Sequence, residues 1–270
     1  AVHDAQGLNN SAKKYEYTVR KHYAAFWQQG IACDIIDMLQ DFSKYRLIVA
    51  PMLYMIKPGV AERLETFVAA GGTLVTTYCT GMVDENDLCH LGGFPGPLRK
   101  LLGIWAEETE SIYDDEHHTV TMLDDTTTGT VKTYGVVELC DLIHTETAKA
   151  LATYDDDFYA GRPALTVNTF GNGQAYYIAF RNNQDFESDF YKTLANTLGL
   201  TKSLDTTLPE GVSVSKRTDG NNTYTFVMNF NQTIVNITLP ETWGGTDLFD
   251  KTQTSHTLVL QPYDVRVLKS

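Results

Sequence analysis

Between residues 46 and 78 two apolar runs, RLIVA and TLVTTY, flank the stretch VAERLETFVAA, with Pro58-Gly59 before it and Gly71-Gly72 after it. Runs so continuously apolar suit strands buried on both faces, as in parallel sheets. The stretch between them has helical spacing. Pro-Gly opens it, and Gly, which tolerates the left-handed cap, closes it. Strand, helix and strand joined this closely restrict the chain to an α/β sheet.

The flanking sequence extends the pattern. Residues 13–29 place Tyr15, Val19, Tyr23 and Phe26/Trp27 at helical spacing, and Gly30 ends that helix. IACDIID reads as a short strand, LRKLLGIWAEE (98–108) as a helix, and GQAYYIAF (173–180) as an apolar strand. Residues 109–181 as a whole are rich in Thr, Val and Tyr and read as strands with acidic turns. ESDFYKTLANTLGL (187–200) is amphipathic, with Phe190, Leu194 and Leu198 on one side. The prediction is an α/β fold: a doubly wound parallel sheet with helices on both faces.

Near Leu204 the character changes. Residues 212–218, 223–230, 233–239, 246–250 and 256–268 alternate apolar and polar, and Asp219-Gly220-Asn221-Asn222 is a hairpin-type turn. We therefore divide the chain into an α/β domain, 1–203, and a small antiparallel β domain, 204–270.

Composition narrows the function. Hydrophobic residues make up 43% and charged residues 20%, which is globular rather than disordered. The net charge of -13 argues against nucleic acid or anionic membrane as a partner, since both need a basic patch. No apolar run reaches the roughly eighteen residues of a membrane span. The start, AVHDAQGLNN, lacks Met and has neither the basic head nor the apolar core of a secretion signal. The expectation is part of a longer, cytoplasmic protein. Cys33, Cys79, Cys89 and Cys140 are far apart and form no CxxC pair, so reduced, mostly buried thiols are expected, with no structural zinc and no cofactor.

Two places could carry chemistry. In Thr77-Tyr78-Cys79-Thr80-Gly81, a cysteine directly after a parallel strand has the layout of a nucleophile elbow, as in class I glutamine amidotransferases. Such a thiol needs a base, usually His. Phe180-Arg181-Asn182-Asn183, near the last strand, supplies none, and His144 and His117-His118 (the latter in a charged turn with Asp114, Asp115 and Glu116) fall elsewhere. The second place is VDENDLCHLGGFPGPLR, residues 83–99, too rich in Gly and Pro for a helix or strand. Its carboxylates at 84, 85 and 87 are of the type used by glycosidases, and equally of the type that caps turns. Cys89-His90 is half of a metal site at most, because adjacent residues rarely bind one ion. In the β domain Tyr224, Trp243 and Tyr263 could stack on sugar or pack at its rim.

The stretch 45–108 closely resembles the middle domain of family 42 glycoside hydrolases, the bacterial β-galactosidases. VAP after a strand, AGGTLV at a strand entry, VDEND, and HLGGFPGPLRKLLGI match in order. By this resemblance residues 1–200 correspond to the family's trimerisation domain, with a class I glutamine amidotransferase-like (flavodoxin-like) fold. Residues 205–270 or so correspond to its small C-terminal β domain. The resemblance implies hydrolysis of terminal β-D-galactose by two glutamates on an N-terminal (β/α)₈ barrel. A barrel of about 250 residues has no room here, and no catalytic residue carries over. The implied partner is a second and third copy of the chain, a homotrimer, with galactoside bound by the absent barrel. Irregular loops carry recognition. Asp84, Glu85, Asn86, Asp87, His90 and Arg99 are thus expected at the subunit interface or at the rim of a neighbour's active site. A Cys79-dependent amidohydrolase and a carbohydrate-binding module stand as alternatives.

Overall fold

In the computed structural model, residues 14–113, 115–123, 131–182, 186–241, 243–253 and 256–270 are described. The two apolar runs form β1 (Leu47–Ala50) and β2 (Thr73–Thr77), paired in parallel from Leu47↔Thr73 to Ala50↔Thr76. Every residue of β2 is buried. The connecting helix follows α1 (Tyr15–Trp27) and is α2 (Val60–Ala69). It buries Val60, Ala61, Leu64, Phe67 and Val68 on one stripe. These meet Leu74, Leu98, Leu101, Leu102, Ile143 and Tyr177 in the main core.

The remaining strands are β3 (Ile104–Ser111), β4 (His118–Met122), β5 (Thr133–Thr145), β6 (Lys149–Tyr154), β7 (Pro163–Phe170), β8 (Gly173–Ile178) and β9 (Phe180–Asn182). They complete a mixed nine-stranded sheet of order β1-β2-β8-β7-β6-β4-β5-β3, with β9 on β5. Only β1, β2 and β8 are parallel; every other pairing in this sheet is antiparallel. The all-parallel expectation fails beyond β2 because connections are too short for crossover helices. Gly171-Asn172, for instance, turns β7 straight back into β8, with Phe170 opposite Gly173.

Two local readings also change. Residues 98–108 are not one helix: a 3₁₀ turn, Gly96–Leu98, leads into α3 (Arg99–Leu102), and Gly103, at φ 64, ends it. The chain then enters β3, where Trp105 and Glu107 alternate with buried Ile104 and Ala106. Of IACDIID, only Ile31 makes a bridge, to Lys202. Past it, Asp37 and Asp41 turn their carboxylates onto the N–H groups of Leu39 and Ser43, which favours turns over a ladder.

By contacts, the chain divides into residues 1–19 with 36–186, and residues 20–35 with 187–270. The second unit holds α4 (Phe186–Thr197) from Glu187 onward. It also holds β10 (Val212–Thr218), β11 (Thr223–Asn229), β12 (Val235–Thr238), β13 (Thr246–Asp247), β14 (Thr257–Leu260) and β15 (Val265–Lys269). These form a sheet β10-β11-β15-β13 and a separate ribbon β12-β14, all antiparallel. Leu204, Val212, Val214, Val227, Ile237, Leu260 and Leu268 fill their core. Phe26 and His22 pack on Tyr191 in the same unit.

Candidate functional site

Tyr78 and Cys79 follow β2, at the carboxyl end of the parallel strands, where open α/β sheets place their ligand sites. Cys79 has φ 58, so the sharp turn of an elbow is present. Its chemistry is not. The side chain is buried with Met52, Tyr78 and Leu139. Burial first, and the Asp141 carboxylate second, push the thiol far above its ordinary range. An activated thiol needs the opposite environment.

Polar groups around the elbow are engaged with one another. Asp141, wholly buried in β5, accepts from the Cys79 N–H (3.0 Å), the Thr109 hydroxyl (2.7 Å) and the Tyr177 phenol (2.5 Å). Burial raises its carboxyl pKa. Arg181 donates from Nε to the Tyr78 phenol (3.0 Å) and from a terminal nitrogen to Glu138 (2.5 Å). Glu138 also pairs with Lys14. Met52, Cys79 and Glu138 all have positive φ. Three non-glycine residues in this conformation around one arginine mark a strained, tightly determined joint. The joint sets the direction in which the chain leaves the sheet.

The loop that leaves it is 83–99. Asp84 forms its first turn: Oδ1 accepts the N–H groups of Asn86 (2.8 Å) and Leu88 (3.0 Å). These bonds, that of Leu88 foremost, hold the Asp84 carboxyl below its usual range. A glycosidase general acid requires a raised value. Asp87 takes φ 63 within this turn, and Glu85 and Asn86 are exposed. His90 folds inward: its ring packs on Gly96, and its Nε2 is buried with no hydrogen-bond partner among the described residues. Leu88 is exposed and Leu91 fully so.

Arg99 closes the loop. Its Nε and a terminal nitrogen grip Glu146 (2.6–3.2 Å), and the other terminal nitrogen donates to the Gly92 carbonyl (3.2 Å). The guanidinium lies 5.8 Å from the Trp105 ring, which stacks on His144 at 4.4 Å. His144 and Arg162 both reach Glu107 at 2.8 Å. The structure thus gathers Asp84, Asn86 and Asp87 into one turn and seats His90 beneath the loop. It ties Arg99 to Glu146, a residue that the sequence analysis did not single out.

Other candidates disperse. His118 is buried at the start of β4, with Nδ1 bonded to the Tyr159 phenol (2.9 Å) and Nε2 3.7 Å from the Glu116 carboxylate, while Asp115, Glu116 and His117 are exposed; Asp114 lies outside the described residues. Tyr224 pairs with Lys269 near one end of β15, whereas Tyr263 precedes the other end, and Trp243 packs against the core. They form no common platform. Two cysteines are buried, Cys79 and Cys140, and two exposed, Cys33 and Cys89; all four are free thiols. Among the described residues no group of three His, Cys, Asp or Glu side chains could hold a metal ion, and no helix is long and apolar enough to cross a membrane.

Asp141, Glu138 and Arg181 escaped the sequence reading. The signal for Asp141 was present: a carboxylate flanked on both sides by apolar pairs, Leu139-Cys140 and Leu142-Ile143.

Comparison with known proteins places the chain in a family. Residues 1–201 match the family model for the β-galactosidase trimerisation domain, and 211–270 that for the β-galactosidase C-terminal domain. The chain is 50% identical to β-galactosidase Pbg of Clostridium perfringens over all of its own length and 39% of that protein's. It is 43% identical to β-galactosidase BglY of Alicyclobacillus acidocaldarius, again over 39% of the relative. A crystal structure of a β-galactosidase from Rahnella sp. R3 superposes with a TM-score of 0.92 at 46% identity, covering 99% of this chain and 38% of that one. The chain spans well under half the length of these relatives, and over that span it belongs to family 42 of the glycoside hydrolases, as their trimerisation and C-terminal domains.

Proposed function

We propose that this chain is the assembly portion of a β-galactosidase. In this reading the parent enzyme removes terminal non-reducing β-D-galactose with retention, using two glutamates on a barrel outside these residues. The chain joins three such subunits in the cytoplasm. Residues 1–203 form the amidotransferase-like assembly domain and 204–270 the β domain. The match of residues 1–201 to the trimerisation domain carries the proposal.

The loop 83–99 is the part of that domain that meets another subunit, either at the interface or at the rim of the neighbour's sugar cleft. Exposed Leu88 and Leu91 on a loop braced by Arg99 support this, because a rigid apolar protrusion loses little entropy on docking. Asp84, Glu85, Asn86, Asp87, His90 and Arg99 are its working residues.

The test is Asp87→Ala and Arg99→Ala in the full-length enzyme, with molar mass by light scattering and steady-state kinetics. The Arg99 and Glu146 side chains are exposed, so losing their bond should leave the fold of the domain intact. Assembly or KM should change nonetheless. Unchanged assembly together with unchanged kinetics would refute the role of the loop. The alternatives have less support: the Cys79 thiol lacks a base and is buried, and the β-domain aromatics do not converge.

A further inference from the structure

The loop leaves two oppositely charged surfaces in the same unit. Asp84, Glu85 and Asp87 share one turn, and Glu85 is exposed and forms no ion pair among the described residues. At the other end of the loop, Pro97, Arg99, Lys100, Thr147, Asn168 and Phe170 line a groove of about 590 Å³. Glu146 neutralises Arg99 there, so the groove keeps one net positive charge, that of Lys100. The Lys100 amine rests 5.7 Å from the Phe170 ring centroid and has no carboxylate partner among the described residues. Leu91 stands exposed between the two surfaces in sequence.

Two physical constraints connect these surfaces. A chain of net charge -13 repels its own copies, and can close on them only where local charges oppose. A closed ring of three, moreover, joins each copy to the next through two different patches, since only a two-fold contact uses one patch twice. An acidic turn and a cationic groove are a pair of that kind.

Resting on the assembly reading above, we propose that the Asp84–Asp87 turn of one copy, with Glu85 foremost and Leu91 beside it, seats in the Lys100 groove of the next copy. Glu85 supplies the carboxylate that Lys100 lacks within its own chain. Phe170 and Pro97 give the groove an apolar wall against which a leucine can lie.

The experiment is a charge swap in the full-length enzyme: Glu85→Lys and Lys100→Glu, singly and combined, with light-scattering mass at low and high salt. Both side chains are exposed, so the far-UV circular dichroism spectrum of each variant should match the wild type and report that the fold is intact. Each single swap should weaken assembly roughly tenfold or more, and the double swap should restore it, because every interface then carries the pair reversed. Single swaps without effect would overturn the seating. So would single swaps that dissociate the enzyme without rescue by the double, which would mean that the groove receives another part of the parent.

Leu91→Asp separates this proposal from the one beneath it. Dissociation by Leu91→Asp with inert charge swaps removes the seating and leaves the loop at the interface. If Leu91→Asp also leaves both the mass and the kinetics unchanged, both readings fall.

Discussion

The backbone N–H of Cys79 donates to the Asp141 carboxylate over 3.0 Å, so the turn after β2 is anchored to the middle of β5, sixty-two residues away in sequence. The same carboxylate also takes the Thr109 and Tyr177 hydroxyls. Asp141→Ala would leave two buried donors and the half-buried Thr109 hydroxyl without this acceptor and should destabilise the chain by about 3 kcal/mol. Asp141→Asn keeps an acceptor and should lose roughly half as much. Urea unfolding of the two variants beside the wild type measures the difference, and equal midpoints for all three would contradict the anchoring role.

Acid should loosen the second unit through His22. Its ring is buried, with Nδ1 2.6 Å from the Tyr191 hydroxyl and the Lys21–Glu187 pair close by in sequence. Burial, then the Lys21 charge, lowers its pKa from 6.5 to about 3. The unfolded chain therefore binds the proton more readily than the folded one. Stability from this residue is full above pH 6.5 and falls as pH drops toward about 3. By the middle of that window the loss is on the order of 2 kcal/mol. In His22→Gln the slope of stability against pH should flatten over this range, as read by denaturant midpoints at stepped pH.

Gly81 permits the loop to leave the elbow. It has φ 65, and a Cβ placed there would sit 2.1 Å from the Pro95 carbonyl oxygen. Gly81→Ala should destabilise by more than about 3 kcal/mol, from backbone strain plus the collision. Gly59 also has positive φ, at 79, but open space beside it. Gly59→Ala should therefore lose only about 1 kcal/mol. Calorimetric midpoints of the two variants should differ in that order.

The thiols should sort by environment. Alkylation of the native chain at mildly alkaline pH, followed by peptide mapping, should modify exposed Cys89 first. Cys33 should lag, since burial of its sulfur and the charge of Asp34 push its thiol up to about 11. Cys79 and Cys140 should react only after unfolding. Rapid, selective modification of Cys79 would revive the amidohydrolase alternative.

The β–α–β unit from Leu47 to Thr77 was legible because its signals are local: apolar runs, helical spacing and glycine stops lie within one stretch. The change of character near Leu204 was legible for the same reason, as alternation at period two. The strand Ile104–Ser111 was not, because LRKLLGIWAEE keeps helical spacing through a glycine that takes a left-handed turn. The antiparallel majority of the sheet was also hidden, since pairing between β4, β5 and β9 depends on partners far away in sequence. In the candidate site, Asp84, Asn86 and Asp87 could be grouped from sequence because an Asx turn is built within five residues. Arg99 was singled out from the sequence, but its partner Glu146 lies forty-seven residues on and no local pattern joins them. Asp141 and Arg181 hold the elbow through contacts that only the folded sheet creates.

The strand β3 has a further consequence. It lies at one margin of the nine-stranded sheet, where Phe94 bridges Ala106 and edge groups beyond that bridge invite another strand to add on. Glu107, Glu108 and Glu110 stand along it, and its register slips between Ala106 and Glu108. Charge and a bulge together discourage runaway edge-to-edge stacking, the first step toward fibres. A protein concentrated in a cell can thus keep an open sheet margin without polymerising through it.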